Sequence, residues 1–128
     1  MVAGNLDSLL AMMSPDVEVK EAGRTFRGRE EVRKQYQTWL DAFTDIQVEF
    51  PDVIESGDAL AAEVRVTMTH TGPLVTPNGT IPPTGKRVTL EAVDIAHARD
   101  GLIVSFHSYF DQLALLAQLG LMPETAPA

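Results

Sequence analysis

The sequence contains no cysteine, which excludes disulfides and a thiol nucleophile and leaves the redox compartment undefined. Basic residues are in the minority: 10 Lys and Arg stand against 18 Asp and Glu, a formal net charge of −8. That balance disfavours a nucleic-acid partner, because binding a phosphate backbone needs basic patches. Neutral or apolar substrates are expected in preference to highly anionic ones. The one basic cluster, Arg24, Arg27, Arg29, Arg33 and Lys34, is interleaved with Glu30 and Glu31 and reads as a solvated helix start. Long apolar runs are also missing, and none approaches the length needed to span a bilayer. The opening MVAGNLDSLL has no basic segment ahead of an apolar run, so no secretory signal is read there and a cytoplasmic location is the expectation. Neither GxSxG nor a P-loop pattern occurs, which removes the motif basis for a serine hydrolase or a nucleotide-binding enzyme. No two histidines have the HxH or HExxH spacing of metal ligands, and no metal site is expected.

What remains is an ordinary globular composition, 45% hydrophobic, with no repeat, low-complexity tract or linker. Residues 1–128 are expected to fold as one domain around one core. Leu6, Leu9, Leu10 and Met13 have helical spacing within Asn5 to Met13, and Ser14-Pro15-Asp16 is read as the stop. VEVKEAG then reads as a strand running into a turn. The clearest helix is GREEVRKQYQTWLDAF, where Val32, Tyr36, Trp39, Leu40 and Phe43 form an apolar stripe of helical period. Glu30 and Glu31 suit the positive end of its dipole.

Strands dominate the rest. Ile46, Val48 and Phe50 alternate with polar residues, and Ser56-Gly57-Asp58 marks a turn. From Leu60 to His70 the even positions are apolar up to His70, which ends that face. TGPLVTPNGTIPPTGK has four prolines and three glycines in 16 residues and reads as a loop. Two further strands, about Arg87 to Ala98 and Leu102 to Phe110, flank an Arg99-Asp100-Gly101 turn. A last helix, Gln112 to Leu119, ends at Gly120. Helices followed by a run of antiparallel strands predict an α+β domain. A curved antiparallel sheet closed at one end by helices gives a cone with an apolar pocket.

Alternation sets Ile103, Ser105, His107, Tyr109 and Asp111 on one face of the final strand and Val104, Phe106, Ser108 and Phe110 on the other. The preceding turn decides what joins them. A two-residue Asp100-Gly101 turn places Asp94 opposite His107, whereas a three-residue Arg99-Asp100-Gly101 turn puts His97 on the face of His107, Tyr109 and Asp111. The residues are compatible with both.

Several segments, HTGPL, IPPTGKRVTL and VDIAHARDGLIVSFHSYFDQLALLAQLGL, together with TFRGREEVR ahead of the main helix, resemble the SnoaL-like polyketide cyclases and ester cyclases. These belong to the nuclear transport factor 2-like superfamily of cone-shaped α+β barrels. The resemblance implies a strongly curved antiparallel sheet packed on N-terminal helices, with a C-terminal helix. It also implies an intramolecular aldol reaction needing no metal or organic cofactor. The aspartate ending the last strand corresponds to Asp111 and the assisting histidine to His97, which favours the three-residue turn.

Asp111 thus carries two readings, a general acid/base in an apolar pocket and an ordinary helix N-cap. His97 is suited to polarise a carbonyl or shuttle a proton. His107 and Tyr109 are candidate substrate-binding residues on the same face, with His70 at the rim and Trp39 and Tyr36 as core or ligand platform. The expected partner is an apolar small molecule, and a homodimer through the outer face of the sheet is expected. Competing functions are a ketosteroid isomerase-like enzyme, an epoxide hydrolase-like enzyme using Asp94 as a second carboxylate, and a non-catalytic ligand-binding or scaffold member of the superfamily.

Overall fold

The strong helical stripe and the alternating strands set the architecture. The computed structural model describes residues 6–121, and Asn5 of the expected first helix lies outside them. A short helix α1 (Leu6–Ala11) leads into β1 (Met13–Glu21), β2 (Arg24–Arg27) and the long helix α2 (Gly28–Ala42). Strands β3 (Phe43–Ser56) and β4 (Ala59–His70) follow, then a small hairpin of β5 (Leu74–Thr76) and β6 (Gly79–Ile81). Strands β7 (Arg87–Arg99) and β8 (Leu102–Phe110) and helix α3 (Gln112–Gln118) complete the chain.

Six strands form one sheet in the order β2-β1-β8-β7-β4-β3, and β5 pairs with β6 separately. The sheet is α+β in character as expected, but it is mixed and open rather than a closed antiparallel barrel, because β1 runs parallel to β8. Every other pairing is antiparallel. The parallel pair joins the first strand to the last, so the sheet is ordered by long-range contacts that local patterning does not specify.

The α2 stripe explains its seat. Val32, Tyr36, Trp39 and Ala42 are buried, and the helix packs on β1 and β2. Its start lacks a side-chain cap at Arg27, but the Glu31 carboxylate accepts the Arg27 backbone N–H at 3.0 Å. Val32 and Tyr36 join Leu10, Met13, Val17, Val19 and Phe26 in one core cluster. Trp39 and Ala42 join the other, built on the even-numbered residues of β4 with Val88, Leu90, Leu115 and Leu119. The β4 pattern read from the sequence is therefore the observed one, with Ala62, Val64, Val66, Met68 and His70 facing inward.

Three expectations change. Ser14-Pro15-Asp16 does not end the first element but lies inside β1. Pairing with β8 breaks between Met13 and Glu18, and this irregularity accommodates a proline that has no N–H to give. Arg24 and Arg27 belong to β2 rather than a helix start. The Pro/Gly-rich loop contains the β5–β6 hairpin, whose turn is closed by the Thr76 hydroxyl donating to the Gly79 carbonyl at 2.7 Å.

Candidate functional site

On three strands a polar residue falls in phase with buried apolar neighbours. On β1 the sequence Val17, Val19, Glu21 alternates inward, and Glu21 is buried with the two valines. On β7 the inward set Val88, Leu90, Ala92 continues to Asp94, which is 8% exposed. On β8 the inward set is Phe106, Ser108 and Phe110, because Ala96 pairs with Phe106, Asp94 with Ser108 and Ala92 with Phe110. Helix α2 brings Tyr36 and Trp39 against this polar row. Together they line a small, partly open cavity of about 50 Å³ in which Glu21, Tyr36, Trp39, Asp94 and Ser108 are set among apolar side chains.

The polar groups are not equivalent. One oxygen of Glu21, Oε1, accepts from the Trp39 indole N–H at 2.7 Å and from the Gln35 amide at 2.9 Å, so this carboxylate is held as an acceptor. Asp94 has less support. Burial pushes its carboxyl above the ordinary aspartate value of 3.8, only partly offset by Ser108, and its Oδ1 is buried without a hydrogen-bond partner among the described residues. Burial also raises the Tyr36 phenol far above its usual value, reinforced by Glu21 and then Asp94. Tyr36 therefore stays protonated and able to donate. A buried carboxylate oxygen without a partner costs stability, and such groups concentrate where chemistry is done.

The cavity has room for water but not for a ligand of ordinary size, which takes about 300 Å³ or more. It adjoins a groove of about 610 Å³ between α2, the β5–β6 hairpin and α3. Trp39 and Phe110 line both spaces, so they form the boundary between them.

The other residues singled out in the sequence lie elsewhere. Asp111 is the exposed N-cap of α3, its carboxylate accepting the Ala114 N–H at 3.0 Å. His107 and Tyr109 are on the opposite face of the sheet from the cavity, with their rings edge to face. His107 Nε2 lies 3.0 Å from Glu18 Oε1. That hydrogen bond, with Arg27 3.0 Å from the other oxygen, holds the Glu18 carboxyl below its ordinary value. His97 is on that outer face too, its Nδ1 3.3 Å from the Ser105 hydroxyl. The exposed apolar side chains of Val93 and Tyr109 sit opposite each other there.

The turn explains this placement. Arg99 pairs with Leu102, and both Asp100 (φ 52°) and Gly101 (φ 81°) are left-handed, the two-residue turn and not the three-residue one favoured by resemblance. Ala98 then pairs with Ile103 but His97 with Ser105, leaving Val104 as an extra residue in β8. This bulge reverses the side-chain parity. His97 consequently shares a face with His107, as the other turn would have arranged, and Asp94 moves to the cavity side with Ser108.

His70 is fully buried at the end of β4, away from the cavity and groove. Its Nδ1 accepts the Thr84 backbone N–H at 3.2 Å, which leaves the ring proton on Nε2, an atom with no partner among the described residues. Burial lowers its pKa below 6.5. The native state thus binds fewer protons than the unfolded chain as pH falls below that value, and stability is lost in the acid direction. His70→Gln is expected to flatten this part of the stability–pH curve below pH 6.5, measured by urea denaturation; an unchanged slope would rule out His70 as its source. Among the described residues, no three His, Asp or Glu side chains converge as a metal site, and no helix is long and apolar enough to cross a membrane.

Residues 1–106 match the family model of the SnoaL-like domain. The chain belongs to the SnoaL-like family. Solved structures agree on the fold. A candidate SnoaL-like polyketide cyclase from Jannaschia sp. CCS1 superposes with a TM-score of 0.82 at 21% identity, over 94% of this chain and 82% of that one. AclR, a candidate hydroxylase from Streptomyces galilaeus, gives 0.78 at 26% identity, covering 94% and 77%. IdmH, a candidate polyketide cyclase from Streptomyces antibioticus, gives 0.73 at 26% identity, covering 92% and 88%. The comparison with curated proteins finds no match. In this SnoaL-like domain Asp94, Glu21 and Tyr36 thus line one small cavity; Glu21 lies outside the motifs read in the sequence, where Asp94 enters only as the alternative to His97.

Proposed function

We propose that this SnoaL-like domain is a cofactor-independent enzyme that moves a proton at the carbon beside a carbonyl of an apolar, polyketide-like small molecule, with Asp94 as the proton carrier. The observation that carries the reading is the buried, unpartnered Oδ1 of Asp94 in a cavity adjoining a ligand-sized groove. A carboxylate raised by burial has the basicity to take such a proton and the acidity to return it. Tyr36, kept neutral, donates a hydrogen bond to the oxygen that becomes an enolate. In a cyclisation the enolate carbon then attacks a second carbonyl of the same molecule. A carbon–carbon bond forms, and the proton held by Asp94 passes to the new alkoxide. Glu21, fixed by Trp39 and Gln35, orients the indole that separates cavity from groove. The candidate polyketide cyclases among the structural relatives support this class of chemistry.

The test is deuterium exchange at the α-carbon of an aryl ketone such as tetralone, followed by NMR. Asp111 provides the contrast. Asp111→Asn keeps an N-cap and is expected to leave exchange within about twofold. Asp111→Ala removes the cap at a cost of about 1 kcal/mol of stability, again without losing exchange. Loss of exchange on replacing Asp111, with retention on replacing Asp94, would transfer the catalytic role to the cap residue and end this proposal.

A further inference from the structure

The groove departs from the charge of the chain around it. The protein carries 18 Asp and Glu, yet none of the described residues lining the 610 Å³ groove is acidic, and Arg24 is the only charged one among them. The other arginines near it are committed: Arg27 to Glu18, Arg29 to the Met13 carbonyl and Arg33 to Asp7. Arg24 has no carboxylate partner among the described residues. Its guanidinium instead lies over the Phe26 ring, 4.8 Å from the centroid, which fixes its plane while leaving its donors free. Arg24 does not line the inner cavity, but it lines two shallower depressions beside the groove, to which Lys20 and Lys34 contribute. Glu21 and Glu31 border those depressions as well, each accepting from neutral donors, so three cations stand against two carboxylates there. The rim is therefore cationic and the bottom, at Trp39 and Phe110, is aromatic. Between them Leu74, Ile81, Leu115 and Leu116 make the walls apolar.

We infer that the substrate is an elongated apolar molecule bearing one anionic group, such as a carboxylate, which Arg24 holds at the rim while the reacting carbonyl reaches the inner cavity. The inner end of this placement rests on the proposed role of Asp94; the anionic end rests on the groove alone. The net charge of the chain favours neutral substrates but says little about one surface, and this one has no acidic side chain among the described residues that line it. Arg24 supplies a planar pair of donors that matches a carboxylate, and a neutral analogue of the same shape forfeits that charge-assisted pair.

Two naphthalene probes of similar size separate the contributions: anilinonaphthalene sulfonate, which is anionic, and phenylnaphthylamine, which is neutral. In NMR titrations of the intact protein, both are expected to shift the amides of Thr76, Asn78 and Gln112. Arg24→Gln is expected to weaken the anionic probe about tenfold and the neutral probe less than about twofold, while Arg24→Lys restores most of the difference. Raising the salt concentration should weaken only the anionic probe in the wild type. Equal weakening of both probes, no weakening of the anionic one, or shifts confined to the outer face of the sheet would overturn the inference. Because the readout is binding, those outcomes do not depend on whether Asp94 carries the proton, and loss of the Asp94 mechanism would leave a positive binding result intact.

Discussion

Asp94→Asn is expected to make the protein more stable and to lower α-proton exchange by about 10²–10⁴-fold, the usual contribution of a positioned acid or base. The two effects have one cause. Burial raises the Asp94 pKa above 3.8, so the native state holds this proton more tightly than the unfolded chain does. The stabilising contribution of the protonated form is complete below pH 3.8 and is lost as pH rises through the raised native value. On the alkaline side of that raised value the wild type takes on a buried charge, and one of its oxygens, Oδ1, has no partner among the described residues. Asparagine keeps the shape and cannot ionise. Its advantage should be near zero in acid and about 1 kcal/mol at neutral pH, roughly 4 °C in Tm for a domain of this size. Thermal unfolding of both proteins across that pH range checks the prediction. A variant less stable than wild type at neutral pH, or equally active, would contradict it.

Gly72→Ala is expected to have the largest effect on stability, about 3 kcal/mol against a total of about 5–15. Backbone conformation is not the reason, since Gly72 does not have a positive φ. The reason is space: a Cβ there would stand 2.0 Å from the Asp41 carbonyl oxygen. The chain leaving β4 passes against the end of α2, where the Thr71 and Gly72 N–H groups both donate to the Ala42 carbonyl at 3.0 Å. Adding a methyl group must push this crossing apart and break those bonds, which also loosens the helix that carries Tyr36 and Trp39. Gly57 is the control. Its φ is 57° and a Cβ there meets nothing within 4 Å, so Gly57→Ala should cost only about 1 kcal/mol of backbone strain. Urea denaturation of the two variants should reproduce that order, with Gly72→Ala losing most of its midpoint and Gly57→Ala little. Similar midpoints would show that the crossing at Asp41 relaxes freely.

The elements whose pattern depends only on their own residues were legible. The α2 stripe and the inward even positions of β4 could be read directly, because burial imposes a period on each. The family was legible as well, from motifs between TFRGREEVR and the last strand. The parallel pairing of β1 with β8 was not, since it joins segments about as far apart as the chain allows. Nor was the arrangement of β7 and β8. The residues of the turn fix only the pair next to it, and one extra residue at Val104 resets every side chain beyond. The site nevertheless had a signal in the sequence. Glu21, Asp94 and Ser108 each fall in phase with buried residues of their own strand, a carboxylate or hydroxyl where the alternation calls for an apolar side chain. Reading the polar set of β8 as the cavity face gave precedence to His107, Tyr109 and Asp111. Phe106 and Phe110 mark the other face as the inward one, as the hydrophobic effect requires.

The proposed chemistry depends most directly on the state of one carboxyl group. NMR titration of the Asp94 side-chain carboxyl, with Asp94→Asn to assign the resonance, should give a midpoint clearly above 3.8, and the signal should respond when a neutral ligand fills the groove. A midpoint at or below 3.8 would mean that Asp94 is solvated or paired in solution, and would contradict its role as the proton carrier.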